Sequence, residues 1–187
     1  MIKKQLKINT ARLLLRNFRE NDFEDLFEYL SQEITYKYEP GKPISREEAI
    51  SISHERAIGK DFIAVELKEE RKLIGHVYFK AIEPEELKTW ELGYIFNPKY
   101  QRMGYATESV KAIIKYGFED LRIHRIFAHC NPKNRTSWKL LERVGMRREG
   151  SFKKNIFFVK DEKGNPCWKD TYEYALLSEE INGENKK

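Results

Sequence analysis

Residues 90–116, WELGYIFNPKYQRMGYATESVKAIIKY, constrain most strongly what this chain can fold into. The stretch opens with an apolar, β-leaning run from Trp90 to Phe96, followed by a turn from Asn97 to Met103. A helical pattern begins at Gly104, with Ala106, Val110, Ile113, Ile114 and Gly117 at the spacing of one buried face. Strand, glycine-bearing turn and helix together aim several main-chain N–H groups at one point. The first turn of a helix has unpaired N–H groups and the positive end of the macrodipole, so an anion is favoured there. Gly104 adds close access, because no Cβ stands between its backbone and a ligand.

A chain of 187 residues is the size of one domain and can bury a substantial core. Residues 1–178 are expected to form that domain, with 179–187 as a polar, loose tail. The net charge of +5 is too small to argue for nucleic acid, but its placement is informative. Residues 97–107 contain Lys99 and Arg102 and no acid, and residues 131–148 contain Lys133, Arg135, Lys139, Arg143, Arg147 and Arg148 against Glu142 alone. A polyanionic ligand would favour both segments; a solvated basic surface would look the same. Cys130 and Cys167 lie far apart without metal spacing, and the four histidines form no ligand motif, so free thiols and no metal are expected. No apolar run is long enough for a membrane span, and residues 1–6 carry no secretory pattern, so a cytoplasmic protein is expected.

Along the chain, Leu6–Arg16 reads as a strand and Asn21-Asp22 as the cap of a helix with Phe23, Leu26, Phe27 and Leu30 on its apolar face. A turn-rich loop, residues 36–43, leads to a helix capped by Ser45 and Glu48 and running to Gly59. Strands are expected at 61–67, 72–82, 90–96, 122–130, 152–159 and 170–177, and a further helix at about 134–144, stopped by Gly145. This order fits an α/β (α+β) fold with a mixed central sheet.

Two motifs in this order carry a resemblance. Gln101-Arg102-Met103-Gly104-Tyr105-Ala106 resembles the Q/R-x-x-G-x-G/A pyrophosphate loop of the GNAT N-acetyltransferases, and Asn131–Met146 is similar to that family's N-x-x-N-x-x-S…G-F segment, with Met146 in place of Phe. Glu91-Leu92-Gly93-Tyr94 stands where the family's central strand is expected, and the likeness spans about residues 10–177. The chain resembles the RimJ/RimL-like, ribosomal-protein N-terminal acetyltransferase branch. The resemblance implies a GNAT-like sheet of six to seven strands with about four helices, and a single N-acetyltransferase domain. It implies acetyl-CoA as acetyl donor, direct attack in a ternary complex, and a primary amine as acceptor: a protein N-terminus or a small amine. A homodimer is compatible with it.

The resemblance also assigns residues. The pantetheine arm of the donor would pair like an added strand beside Leu92–Phe96, with Tyr94, Ile95 and Phe96 as contacts. The pyrophosphate would sit on Gln101, Arg102, Met103, Gly104, Tyr105, Ala106 and Thr107. Asn131, Asn134 and Ser137 would meet the arm and the thiol, and Ser137 resembles the residue that serves as general acid in the RimL-like branch; the tyrosine that several family members carry on this helix is missing here, which leaves the identity of the acid open. Glu91 is the candidate general base; its place in an apolar strand predicts desolvation and a raised pKa. Acyl transfer needs such a base because an N-terminal amine has a pKa near ~8 and a lysine one near ~10.4. Tyr36, Tyr38, Trp90, Phe157 and Tyr172 are expected to line the acceptor side. His129 and Cys130 cannot easily act as a pair, since adjacent strand residues point to opposite faces. A non-catalytic acyl-CoA sensor of the same fold is the alternative reading.

Overall fold

The computed structural model of the chain describes residues 6–181, so the expectations for residues 1–5 and 182–187 lie outside the described residues. Its strands are β1 (Lys7–Asn9), β2 (Leu13–Asn17), β3 (Phe62–Leu67), β4 (Lys72–Ala81), β5 (Thr89–Phe96), β6 (Arg125–Cys130), β7 (Arg147–Ile156) and β8 (Lys169–Leu177). They form one sheet in the order β1-β2-β3-β4-β5-β6-β8-β7. Every neighbouring pair is antiparallel except β5–β6.

Among the described residues there are eight strands rather than six or seven because Leu6–Arg16 is not one strand. The Thr10 N–H donates to the Leu13 carbonyl at 3.0 Å and Thr10 Oγ1 accepts from the Leu13 N–H at 2.9 Å, which folds β1 back on β2. β7 begins at Arg147 rather than residue 152, because the chain turns directly into the sheet after Gly145.

The helices are α1 (Phe23–Leu30), α2 (Arg46–Ile58), α3 (Tyr105–Glu119), α4 (Arg135–Arg143) and a terminal turn, α5 (Ser178–Ile181). The expected tail thus begins as helix. Ser45 and Glu48 make the predicted reciprocal cap of α2 at 3.2 and 2.6 Å. Asp22 does not cap α1 with its side chain. It is buried and takes two hydrogen bonds from Arg16, both 2.7 Å, while Glu66 takes a third from Arg16 Nε. A buried guanidinium needs acids on its open edges, and that need outweighs a surface cap.

Alternation along the strands divides the core in two. One face carries Leu13, Val65, Val77, Phe79, Leu92 and Ile126 against α3 and α4; the other carries Ala64, Leu73 and Ile95 against α1 and α2. Gly117 sets the approach of α3 to the sheet: a Cβ there would lie 2.7 Å from Ile123 Cδ1 and 3.0 Å from Phe79 Cζ.

Candidate active site

β5 and β6 run side by side only at their start. Thr89, Trp90 and Glu91 pair with Arg125, Ile126 and Phe127; beyond these the two strands part, although β5 continues to Phe96 and β6 to Cys130. The hydrogen bonds Ile82 N–H to Thr89 O and Asn97 N–H to Ile74 O fix which β5 residues bond to β4: the odd-numbered ones. The main-chain groups of Tyr94 and Phe96 therefore face the gap. Ser178 N–H to His124 O fixes the same alternation on β6 and turns the His129 main chain towards the gap from the other side. A cleft with strand edges on both walls is a place for an extended ligand to pair.

The cleft ends on the predicted loop. Gln101 Nε2 donates to the Phe96 carbonyl at 3.3 Å, closing the strand end onto the turn. Arg102 and Gly104 have φ of 63° and 84°. Gly104 is the N-cap of α3 and no side chain caps that helix, so the N–H groups of its first turn are free for an anion. Gln101, Arg102, Met103 and Gly104 are all exposed, and Tyr105, Ala106 and Thr107 are half-buried beneath them. Glu108, the one acid in the first turn, is held away by Thr10 Oγ1 at 2.6 Å and by Arg12 N and Nε at 2.9 and 2.8 Å. Arg12 Nη1 also donates to the Met103 carbonyl at 2.9 Å, and its guanidinium stands 4.4 Å above the Tyr105 ring. From α4, Arg143 donates to Thr107 Oγ1 at 3.2 Å.

The α3–α4 side of the cleft carries hydroxyls. Ser137, in the first turn of α4, lies 3.0 Å from the Tyr94 hydroxyl. Burial raises the Tyr94 phenol pKa, so it keeps its proton. Asn134 Oδ1 caps α4 through Ser137 N–H at 3.2 Å. Asn131 Oδ1 accepts from Lys133 N–H at 2.9 Å and holds the turn before the helix. α4 carries no tyrosine; the tyrosine hydroxyl beside Ser137 comes from β5, at Tyr94.

Glu91 points to the opposite face, and its surroundings differ from the expectation. Its side chain is half-buried, 33% exposed, and Oε1 lies 3.6 Å from His129 Nδ1. His129 Nε2 lies 3.0 Å from Glu173, which also takes Arg125 Nη2 at 3.0 Å. Contact with Glu91 foremost, then Glu173, raises the His129 pKa above its ordinary value. Pairing of β5 with β6 at this one point brings an acid and an imidazole together, which spacing in the sequence could not disclose.

The expected acceptor lining divides by strand parity. Trp90 faces the α3 core, with its ring 4.7 Å from that of Phe79. Tyr172 pairs with Cys130 on that same face. Phe157 is exposed beside Trp168. Tyr36 packs on the α1–α2 side with its hydroxyl on the Leu30 carbonyl at 2.9 Å; Tyr38 lies under Lys37. Cys130 is buried and its thiol pKa is pushed up to about 12, against a nucleophilic role. Sequence reasoning passed over Glu39 in the same loop. It is half-buried, burial pushes its carboxyl up to about 7, and its charge reaches Tyr94 and Cys130. A lone acid among Tyr36, Tyr38 and Pro40 carries no periodic signal that would have singled it out.

A family model described as the acetyltransferase (GNAT) domain matches residues 12–147. The chain is 40% identical over 178 residues to the uncharacterized N-acetyltransferase YnaD of Bacillus subtilis, covering 95% of this chain and all of that one. A crystal structure of a GNAT-family acetyltransferase from Bacillus anthracis superposes with a TM-score of 0.85 at 40% identity, covering 93% of this chain and 99% of that chain. A more distant likeness, 30% identical over 110 residues, links 59% of this chain to 54% of the [ribosomal protein uS5]-alanine N-acetyltransferase of Escherichia coli. With a splayed strand pair running onto an uncapped helix start, and with the two Bacillus relatives at 40% identity spanning nearly its full length, the chain belongs to the GNAT family of N-acetyltransferases.

Proposed function

We propose that the protein transfers the acetyl group of acetyl-CoA to a primary amine within a ternary complex, as a RimJ/RimL-like enzyme acting on a protein N-terminus or a small amine. One observation carries the reading. Strand edges without a partner strand at Tyr94, Phe96 and His129 lead directly to the free N–H groups of α3. A long donor with an amide-bearing arm and a pyrophosphate matches both ends of that path. The likeness to the uS5-alanine enzyme favours the branch.

Bound there, the donor supplies an activated thioester carbonyl at the mouth of the gap. Main-chain N–H groups of β5 bind its oxygen, where negative charge grows as the amine nitrogen attacks. The new C–N bond forms as the C–S bond breaks. Glu91, with His129 at its side, takes the proton that the amine loses, directly or through water. Ser137, hydrogen-bonded to Tyr94, gives its proton to the departing thiolate and regains one from solvent once the thiol has left. Arg102 adds a charge beside the pyrophosphate, and Asn131 and Asn134 hold the turn against which the arm lies. The free thiols of Cys130 and Cys167 suit the reducing cytoplasm, where acetyl-CoA is made and used.

The test is thiol release from acetyl-CoA with a panel of peptides starting in Ala or Ser, lysine peptides and polyamines. Amine-dependent release is expected. Tight acetyl-CoA binding with no release from any amine would leave a sensor instead.

A further inference from the structure

Among the described residues, Arg56 has no acid within salt-bridge distance, and Glu55 on the same helix acts on it only from farther away. Arg56 extends from the sheet-facing side of α2, with its guanidinium carbon 4.0 Å from the Phe62 ring centre and 5.3 Å from that of Phe18. Nη1 is buried without a hydrogen-bond partner, and among the described residues no other buried side-chain nitrogen or oxygen is in that state. Three other enclosed cations are paired: Arg16 with Asp22 and Glu66, Lys72 with Asp25 and Glu28, Arg125 with Glu149 and Glu173. Burial disfavours the charge on Arg56 and lowers its pKa, while no acid within salt-bridge reach offsets that cost. A cation kept unpaired at such a cost marks a place for an anion that arrives from outside. The two rings lie against the guanidinium carbon, and the group's remaining N–H donors are the ones through which it can bind. The residue as a whole retains partial exposure.

The position of Arg56 ties it to the acceptor side. Phe62 pairs with Tyr78, and Tyr78 with Gly93, so the three stand in one row across β3, β4 and β5. The Phe62 and Tyr78 rings are 5.2 Å apart. Gly93 ends the row with no side chain, on the same face as Glu91 and at the point where β5 leaves β6. The row is a floor that leads from Arg56 to the mouth of the gap. It is two strand spacings long, about 10 Å.

We propose that Arg56 seats a carboxylate of the acyl acceptor, so that the enzyme prefers amines carrying an anionic group about 10 Å from the reacting nitrogen. The seat rests on the reading that the amine enters beside Glu91 and Gly93. A planar carboxylate can take two parallel N–H bonds from the guanidinium edge, which an alcohol or amide cannot match.

The experiment compares ω-amino carboxylates of stepped length with n-alkylamines of the same length, by thiol release from acetyl-CoA. In the native enzyme 8-aminooctanoate should exceed octylamine by at least about tenfold in kcat/KM, as a charge-assisted hydrogen bond would give. Shorter amino acids should lose that advantage. Arg56→Met should bring the ratio towards one, and Arg56→Lys should keep part of it. Octanoate, which cannot be acetylated, should raise the Tm of the native protein and not that of Arg56→Met. Equal or better use of octylamine by the native enzyme, or an unchanged ratio in Arg56→Met, overturns the proposal without touching acetyl transfer itself. Thiol release from neither series, with octanoate still stabilising only the native protein, would sink the acetyl-transfer reading and leave the anion seat standing.

Discussion

The Tyr94 hydroxyl lies 3.0 Å from Ser137 Oγ and 3.2 Å from the Ser137 carbonyl oxygen, and so ties β5 to the first turn of α4 across the open cleft. Among the described residues neither has an acid within hydrogen-bond reach, and burial keeps the phenol protonated. On the proposed reading, this pair holds the Ser137 hydroxyl in place to protonate the departing thiolate. Ser137→Ala should lower kcat by about 10²-fold, the lower range of general acid catalysis, with KM for acetyl-CoA changed less than about twofold. Tyr94→Phe should show the same split to a smaller degree. Calorimetric titration with acetyl-CoA checks the second half: a Ser137→Ala protein that loses binding rather than turnover removes the acid role.

Arg12 shapes the loop from behind. Its Nη1 holds the Met103 carbonyl, and its ion pair with Glu108, 2.7 Å long, removes the acid from the helix start. Without Arg12 the carbonyl is free to turn towards the anion and the carboxylate is loosened beside it. Arg12→Ala should raise KM for acetyl-CoA about tenfold while kcat stays within about twofold, because the lost contact serves binding and not the reacting atoms. A fall in kcat alone would show that the contact only braces the fold.

The raised pKa of His129 predicts a particular pH response. While the imidazole is protonated it holds Glu91 in an ion pair, so the amine proton has nowhere to go. The rate should rise with pH with a midpoint above the ordinary 6.5 of histidine. Glu91→Gln should lower the His129 midpoint more than Glu173→Gln, in line with the order of the causes. The same shift makes a stability contribution, fully present below the unfolded pKa of about 6.5 and lost as pH rises through the higher folded value. NMR titration of the His129 ring measures the midpoint; a value below 6.5 in the native protein would refute the coupling.

Much of this was legible in the sequence. Periodicity placed α3 and its glycine start, and the Ser45–Glu48 cap was readable because capping is a local matter of four residues. Non-local pairings were not. The reading of Leu6–Arg16 as one strand missed the turn at Thr10, whose bond to Leu13 outweighs a run of β-formers. Trp90 and Tyr172 were placed on the acceptor side by residue type, whereas strand parity and register put both on the α3–α4 face. Glu91 was expected to be desolvated, but register with β6 places it beside His129 at a third exposed. Arg56 and Glu39 carry no pattern at all; only the packing shows that each lacks an ion partner within bonding reach.

The most direct measurement is a crystal structure of the protein with coenzyme A. The pyrophosphate oxygens should lie within hydrogen-bond distance of main-chain nitrogens between Arg102 and Thr107, and the pantetheine arm should run between β5 and β6 against Tyr94 and Phe96. Coenzyme A bound elsewhere, with that helix start bare or the gap closed by the protein's own chain, would contradict the account.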